Sequence, residues 1–379
     1  MNADKTSSRA QILKASTAER LTYFKKYQTR HTKLDGAFEE TMRATSLATG
    51  PRVVIVTGPS GVGKSTLALS LRKHLLQRHK AEMESDRGSI PVMFGNAISP
   101  LTGGFKWKDF YARLLRRHDN LLAEQRYLLP IKSELFLDDP RFRSISQCTA
   151  DILRWQAEEC MRQRKTRYLI IDEAHHMLMV KGADALEHQF EAIKSLTLET
   201  DAIIVLCGTY RLLDIRDMSG QLVRRSRIIH FPRYNCSDIV DRTVFTSTLV
   251  ALQEHLPLAR VPNLAADEQY FYLKSASCIG NLKEWLNRAL EYCLETGEPL
   301  SRKVFDRTVL SNAALRTLYE EAQAGEAKLI DVTDEDLSDL ATRGIPTPEL
   351  PPSVPRKRGP RIGLRKAVRD PVGGAYGAR

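Results

Sequence analysis

The chain has 379 residues, enough for two or three domains, and its 42% hydrophobic and 27% charged content is that of an ordinary water-facing globular protein. Lysine and arginine outnumber aspartate and glutamate to give a net charge of +11, which points to a polyanion such as nucleic acid as a partner. The six cysteines form no C-x-x-C pair, which argues against a zinc ribbon or redox dithiol, and no stretch approaches the ~18 apolar residues of a membrane span, so a cytoplasmic location and no membrane partner are expected.

Residues 1–50 read as an N-terminal helical extension. Ser16 and Glu19 fit a capping box, in which hydroxyl and carboxylate satisfy each other's backbone donors. Leu21, Phe24 and Tyr23 or Tyr27 follow at helical spacing, and a second helix covers Leu34 to Thr45 before Gly50-Pro51 stops it.

Residues 51–234 change character. Arg52 to Thr57 is a β-branched run of the kind a strand buried on both faces carries. Further strands are expected at Ile90 to Phe94, Tyr168 to Asp172, Ala202 to Leu206 and Arg227 to Phe231. Helices are expected between them at Gly63 to His79, Lys108 to Leu122, Thr149 to Gln163 and Leu186 to Leu198. Strands alternating with helices predict an α/β core with a parallel sheet sandwiched by helices. Residues 235–330 read as an all-helical domain, with helices at Asp238 to His255, Asp267 to Ser277, Leu282 to Glu295 and Ser301 to Ala322. Residues 331–379 form a basic, Pro-rich tail expected to be disordered, with Arg356, Lys357, Arg358, Arg361, Arg365, Lys366 and Arg369 close together.

Between the first strand and the first core helix stands Gly58-Pro59-Ser60-Gly61-Val62-Gly63-Lys64-Ser65, a match to G-x-x-x-x-G-K-[ST] followed by Thr66. Glycines let successive N–H groups curl towards phosphates, and the helix adds its positive end. Lys64 is the candidate for the β- and γ-phosphates of ATP, and Ser65 for Mg²⁺. Asp172 and Glu173 end an apolar strand, where a carboxylate faces the ligand crevice. Asp172 is the candidate for holding the Mg²⁺ water shell, and Glu173 for orienting and deprotonating an attacking water. His175 and His176 are adjacent on the chain and face different ways, which disfavours a shared metal.

Thr209 closes the next strand, either as a hydroxyl aimed at the γ-phosphate or as part of a simple turn. Among Arg224, Arg225 and Arg227, Arg225 is the chosen candidate for reaching a neighbouring subunit's γ-phosphate, against a solvated basic turn. Lys283, after Gly280-Asn281, either folds over the nucleotide or is an ordinary surface lysine. Lys106, Lys108, Arg113, Arg116 and Arg117 are candidate contacts to the phosphate backbone of duplex DNA.

This order of parts resembles the AAA+ ATPases, and within them the TniB/TnsC-like regulators of DNA transposition, relatives of MuB and IstB. The resemblance runs from about Ala18 to Leu294 and is carried by Ala18 to Phe24, Ile171 to His176, Ile193 to Leu196, Val205 to Thr209 and Gln221 to Arg225. It departs from the family at Arg225-Ser226, where the family has Arg-Phe, and the basic tail has no counterpart that can be matched residue by residue. The resemblance implies a Mg²⁺-dependent ATPase whose AAA+ core precedes a helical lid. It also implies a self-assembled ring or helix on double-stranded DNA, a DDE transposase and a target-selection protein as partners, and disassembly on hydrolysis. A nucleoid-associated location goes with that reading. The alternatives are an AAA+ replication initiator or helicase loader and, further off, a P-loop small-molecule kinase.

Overall fold

A computed structural model describes residues 11–46, 50–101, 103–123, 149–180, 183–214, 226–331 and 333–342. The described residues divide into two units, one up to Leu329 and the other from Ile330.

The first unit is built on five parallel strands: β1 Val53–Thr57, β2 Val92–Asn96, β3 Tyr168–Asp172, β4 Ile203–Gly208 and β5 Ser226–His230. Their order across the sheet is β2-β3-β4-β1-β5. All five residues of β1 are buried, as the β-branched run requires of a central strand covered on both faces. In register, Thr57 stands opposite Gly208 on one side and His230 on the other. Asp172 is level with Asn96 at the end of β2. The C-terminal ends of the strands thus bring the phosphate loop, Asp172 and Thr209 to one edge of the sheet, where open α/β sheets hold their ligands.

One face is covered by α2 Thr32–Ser46 and α3 Lys64–Arg78, which is followed by the short α4 Lys80–Ser85. Leu34, Ala37 and Ala44 of α2 and Leu67, Ala68, Leu71 and Leu75 of α3 pack there on Val54, Val56, Ile170 and Val205. The other face is covered by α5 Trp107–Ala123, α6 Ala150–Gln163 and α7 Ala183–Thr200. Phe110, Leu114, Leu153, Phe190 and Ile193 from these helices meet Val53, Ile55, Leu169 and Leu206.

The helical region comprises α8 Ile239–Glu254, α9 Glu268–Lys274, α10 Ile279–Thr296, α11 Arg302–Thr308 and α12 Asn312–Ala327. Its core gathers Phe245, Phe271, Trp285, Leu286 and Phe305, all buried. The N-terminal residues divide between the two cores. Helix α1, Thr17–Lys26, has the expected capping box between Ser16 and Glu19 and buries Phe24 in the helical core, whereas α2 belongs to the sheet.

Boundaries moved where local signals were weak. Strand β2 lies two residues later than expected, because Pro91 carries no N–H for the ladder and its carbonyl instead accepts from Arg167 and Tyr168. The helix expected over Ser301 to Ala322 is two, since Ser311 leaves the helical conformation and its hydroxyl caps Ala314. In the second unit, Asp334–Thr342 is a helix, α13, begun by Thr333 and Asp336 satisfying each other, where a disordered tail was expected. No helix among the described residues is long and apolar enough to cross a membrane.

Candidate functional site

The phosphate loop has the backbone its glycines allow. Gly61 and Gly63 sit at φ +77° and +116°, in the left-handed region where a side chain is strained. A Cβ on Gly58 would stand 2.2 Å from the Phe231 carbonyl oxygen, so the loop rests directly on the residue that follows β5. Lys64 opens α3 and is 8% exposed. Its Nζ donates to the carbonyls of Gly58 at 3.0 Å and Pro59 at 2.7 Å. Burial pulls its pKa down, and the nearby Glu173 works against that. The ammonium is therefore held by neutral carbonyls in a desolvated place with carboxylates near but not in contact among the described residues, and a phosphate there would supply a contacting anion. Ser65 is exposed and Thr66 half-buried at the start of the same helix; Pro59 and Val62 are buried and Ser60 is exposed.

Asp172 is 7% exposed at the end of β3. Its Oδ1 accepts the N–H of Glu173 at 2.9 Å. Glu173 itself adopts φ +54°, ψ +31°. Holding a non-glycine residue in that region costs about 1–3 kcal/mol and occurs where the surroundings demand it. Here it turns the chain out of the strand and leaves the Glu173 side chain 46% exposed. His175 Nδ1 lies 3.2 Å from Glu173 Oε2 yet is too poorly aligned for a hydrogen bond. Burial, with His176, Lys64 and Arg211 nearby, pushes the pKa of His175 down to about 4, so it is neutral at neutral pH. His176 turns elsewhere, with Nδ1 2.8 Å from the Ala97 carbonyl.

Thr209 follows β4, and its buried hydroxyl has no hydrogen-bond partner; the same is true of Thr57 at the end of β1. A buried hydroxyl without a partner costs about 1–3 kcal/mol, so such groups mark places where a ligand or water completes the network. Two of them at the strand ends, next to a glycine cradle and a carboxylate pair, fit a bound nucleotide with its metal. Ser65 and Asp172 have the oxygen donors Mg²⁺ prefers, with water completing its shell.

The helical region also reaches this site. The N–H of Asn281 in the first turn of α10 donates to the Gly61 carbonyl at 3.1 Å. A Cβ on Gly280 would stand 2.3 Å from that same oxygen. Lys283 does not join in. Its Nζ donates to the Phe24 carbonyl at 2.6 Å and lies 3.1 Å from the centre of the Phe24 ring. Helix α1 thus takes the ammonium expected over the nucleotide, and the residues in contact with the loop are Gly280 and Asn281. Asn96, level with Asp172 at the end of β2, was not anticipated there, because the strand was expected to end at Phe94.

Arg224 and Arg225 lie outside the described residues. Arg227 is paired with Glu40 at 3.2 Å and stands opposite Val54, away from the chain's own phosphate loop. Lys106, Arg113, Arg116 and Arg117 are exposed on or beside α5, whereas Lys108 is half-buried. The arginines at 113, 116 and 117 share one helix face by spacing.

Among curated proteins none matches the chain. Several solved structures share weak likeness. A Walker-type ATPase of Pyrococcus abyssi is 13% identical at TM-score 0.45, covering 82% of this chain and 75% of its own. Domain III of the replication initiation protein DnaA of Thermotoga maritima is 13% identical at TM-score 0.43, covering 75% and 94%. The ORC2 protein of Aeropyrum pernix is 13% identical at TM-score 0.41, covering 82% and 83%. At these scores the likenesses bear on no functional point. The family model described as AAA domain matches residues 47–215, the stretch that holds the phosphate loop, Asp172, Glu173 and Thr209.

Proposed function

We propose that the chain is a Mg²⁺-dependent AAA+ ATPase that assembles with ATP on double-stranded DNA and regulates transposition. In this reading it links a target-selection protein to a DDE transposase, and hydrolysis takes the assembly apart. The observation that carries the hydrolytic part is Glu173, strained out of β3 beside Asp172 and half-exposed at the sheet edge that bears Lys64. A general base must stand free to reach water, and the carboxylate pair favours hydrolysis over transfer to a small molecule. The ordered set of motifs from Ala18 to Arg225 supports the transposition part, and the exposed arginines of α5 support DNA.

In the reaction, Ser65 and Asp172 would hold the metal, which would supply neutralising charge for the transferred phosphoryl group. Lys64 binds its oxygens, Thr209 orients water or the γ-phosphate, and Glu173 accepts the proton of the attacking water. Arg225 from a neighbouring copy completes the charge balance.

The test is imaging the full chain with duplex DNA and either ATP or ADP, in Mg²⁺. Large assemblies with ATP and DNA that vanish with ADP are expected; their absence would remove the assembly reading. Stimulation of a DDE transposase in the same mixture supports the transposition role, and opening of duplex DNA without it would favour a replication initiator.

A further inference from the structure

Two arginines from different helices share one aromatic ring at the sheet's edge. The guanidinium carbon of Arg72, on α3, lies 5.8 Å from the centre of the Phe94 ring, and that of Arg117, on α5, lies 5.0 Å from it. Phe94 belongs to the edge strand β2 and is 3% exposed, so the ring is a fixed platform.

Among the described residues neither Arg72 nor Arg117 has a carboxylate partner. Arg72 Nε is buried and has no hydrogen-bond partner. The charge that acts on Arg72 is Arg117, a like one. Elsewhere in the described residues arginines find carboxylates: Arg154 with Glu158 at 2.7 Å, Arg233 with Glu326 at 2.9 Å, Arg167 with Glu82 at 3.2 Å. Placing a cation over a ring stabilises only weakly at exposed sites, and it leaves the N–H fork unfilled. Further positive charge lies nearby. Arg113 and Arg116 lie on the same helix as Arg117, and a groove of about 550 Å³ beside Arg72 is also lined by Lys73, while its Lys80 is paired with Glu84 at 3.5 Å.

We propose that Arg72, Phe94 and Arg117 form a binding site for backbone phosphate of duplex DNA. Planar guanidinium forks match phosphate oxygens in pairs, and a phosphate between two like charges relieves their repulsion. Such a contact reads no base, as a protein that accepts many sequences requires. The proposal rests on the DNA-binding reading above and adds to it a residue on the helix of the phosphate loop, Arg72, so that DNA engagement and nucleotide binding share α3.

The experiment measures duplex DNA affinity of the full chain with ATP across a salt series, for wild type, Arg72→Gln, Arg117→Gln and Arg117→Glu. Each neutralised contact is expected to flatten the log–log salt slope by about 0.9. Arg117→Glu, which gives Arg72 an internal partner, is expected to weaken affinity at least tenfold with nucleotide affinity unchanged. Duplex binding by all variants with the wild-type slope would overturn this site and leave the DNA reading standing; absence of duplex binding by wild type would overturn both. A parallel titration with inorganic phosphate separates the sources. Phosphate uptake lost in Arg117→Glu with an unchanged DNA slope would assign the pair to free phosphate and overturn the proposal.

Discussion

Asn281 is fastened to Gly61. Its N–H meets the Gly61 carbonyl at 3.1 Å, and its side-chain Oδ1 fills the space where a Cβ on Gly61 would stand, 1.7 Å away. The phosphate loop and the first turn of α10 are therefore in direct contact, and a nucleotide that reshapes the loop is expected to act on the helical region.

Gly280→Ala tests that coupling. The new Cβ would press on the Gly61 backbone oxygen, which cannot swing aside as a side chain does. Overpacking of this kind costs about 1–3 kcal/mol. A lower melting temperature and a smaller stabilisation by ATP are expected in thermal unfolding. Wild-type values for both would show that the contact carries no coupling.

Thr209→Val separates a ligand-facing hydroxyl from a structural one. The hydroxyl is buried without a partner, so replacing it with a methyl of the same shape is neutral or stabilising for the free protein. ATP turnover is expected to fall at least tenfold while the melting temperature holds or rises. Turnover equal to wild type would return Thr209 to the role of a turn residue.

The sheet was legible because its strands carry strong local signals. Tyr168–Asp172 was read to the residue, and the phosphate loop declared itself through glycines whose left-handed backbone no other residue type adopts cheaply. What escaped depends on distance along the chain. Nothing near Gly280 says that it abuts Gly61, and nothing near Lys283 says that Phe24, 259 residues away, offers it a carbonyl and a ring. Asn96 was missed for a smaller reason, since a strand ended too early hides the residue level with Asp172.

Lys283 makes stability depend on pH. Burial pulls its pKa from the ordinary 10.5 to about 7, so between those values the unfolded chain binds the proton and the folded one does not. Stability contributed by this group therefore rises as pH goes from about 7 towards 10.5, and is reduced below that window where the buried amine must be charged. Lys283→Met, which keeps the stem, is expected to flatten this part of the curve in denaturant titrations at pH 7 and 9. An unchanged slope would mean that the amine titrates normally.

ATP binding and turnover in wild type, Lys64→Ala and Glu173→Gln test the central claim, a hydrolytic nucleotide site built from the loop and the β3 carboxylates, most directly. Lys64→Ala is expected to lose ATP binding, and Glu173→Gln to bind ATP normally while turnover falls about 10²–10⁴-fold. ATP binding by Lys64→Ala at wild-type strength, or wild-type turnover by Glu173→Gln, would contradict it.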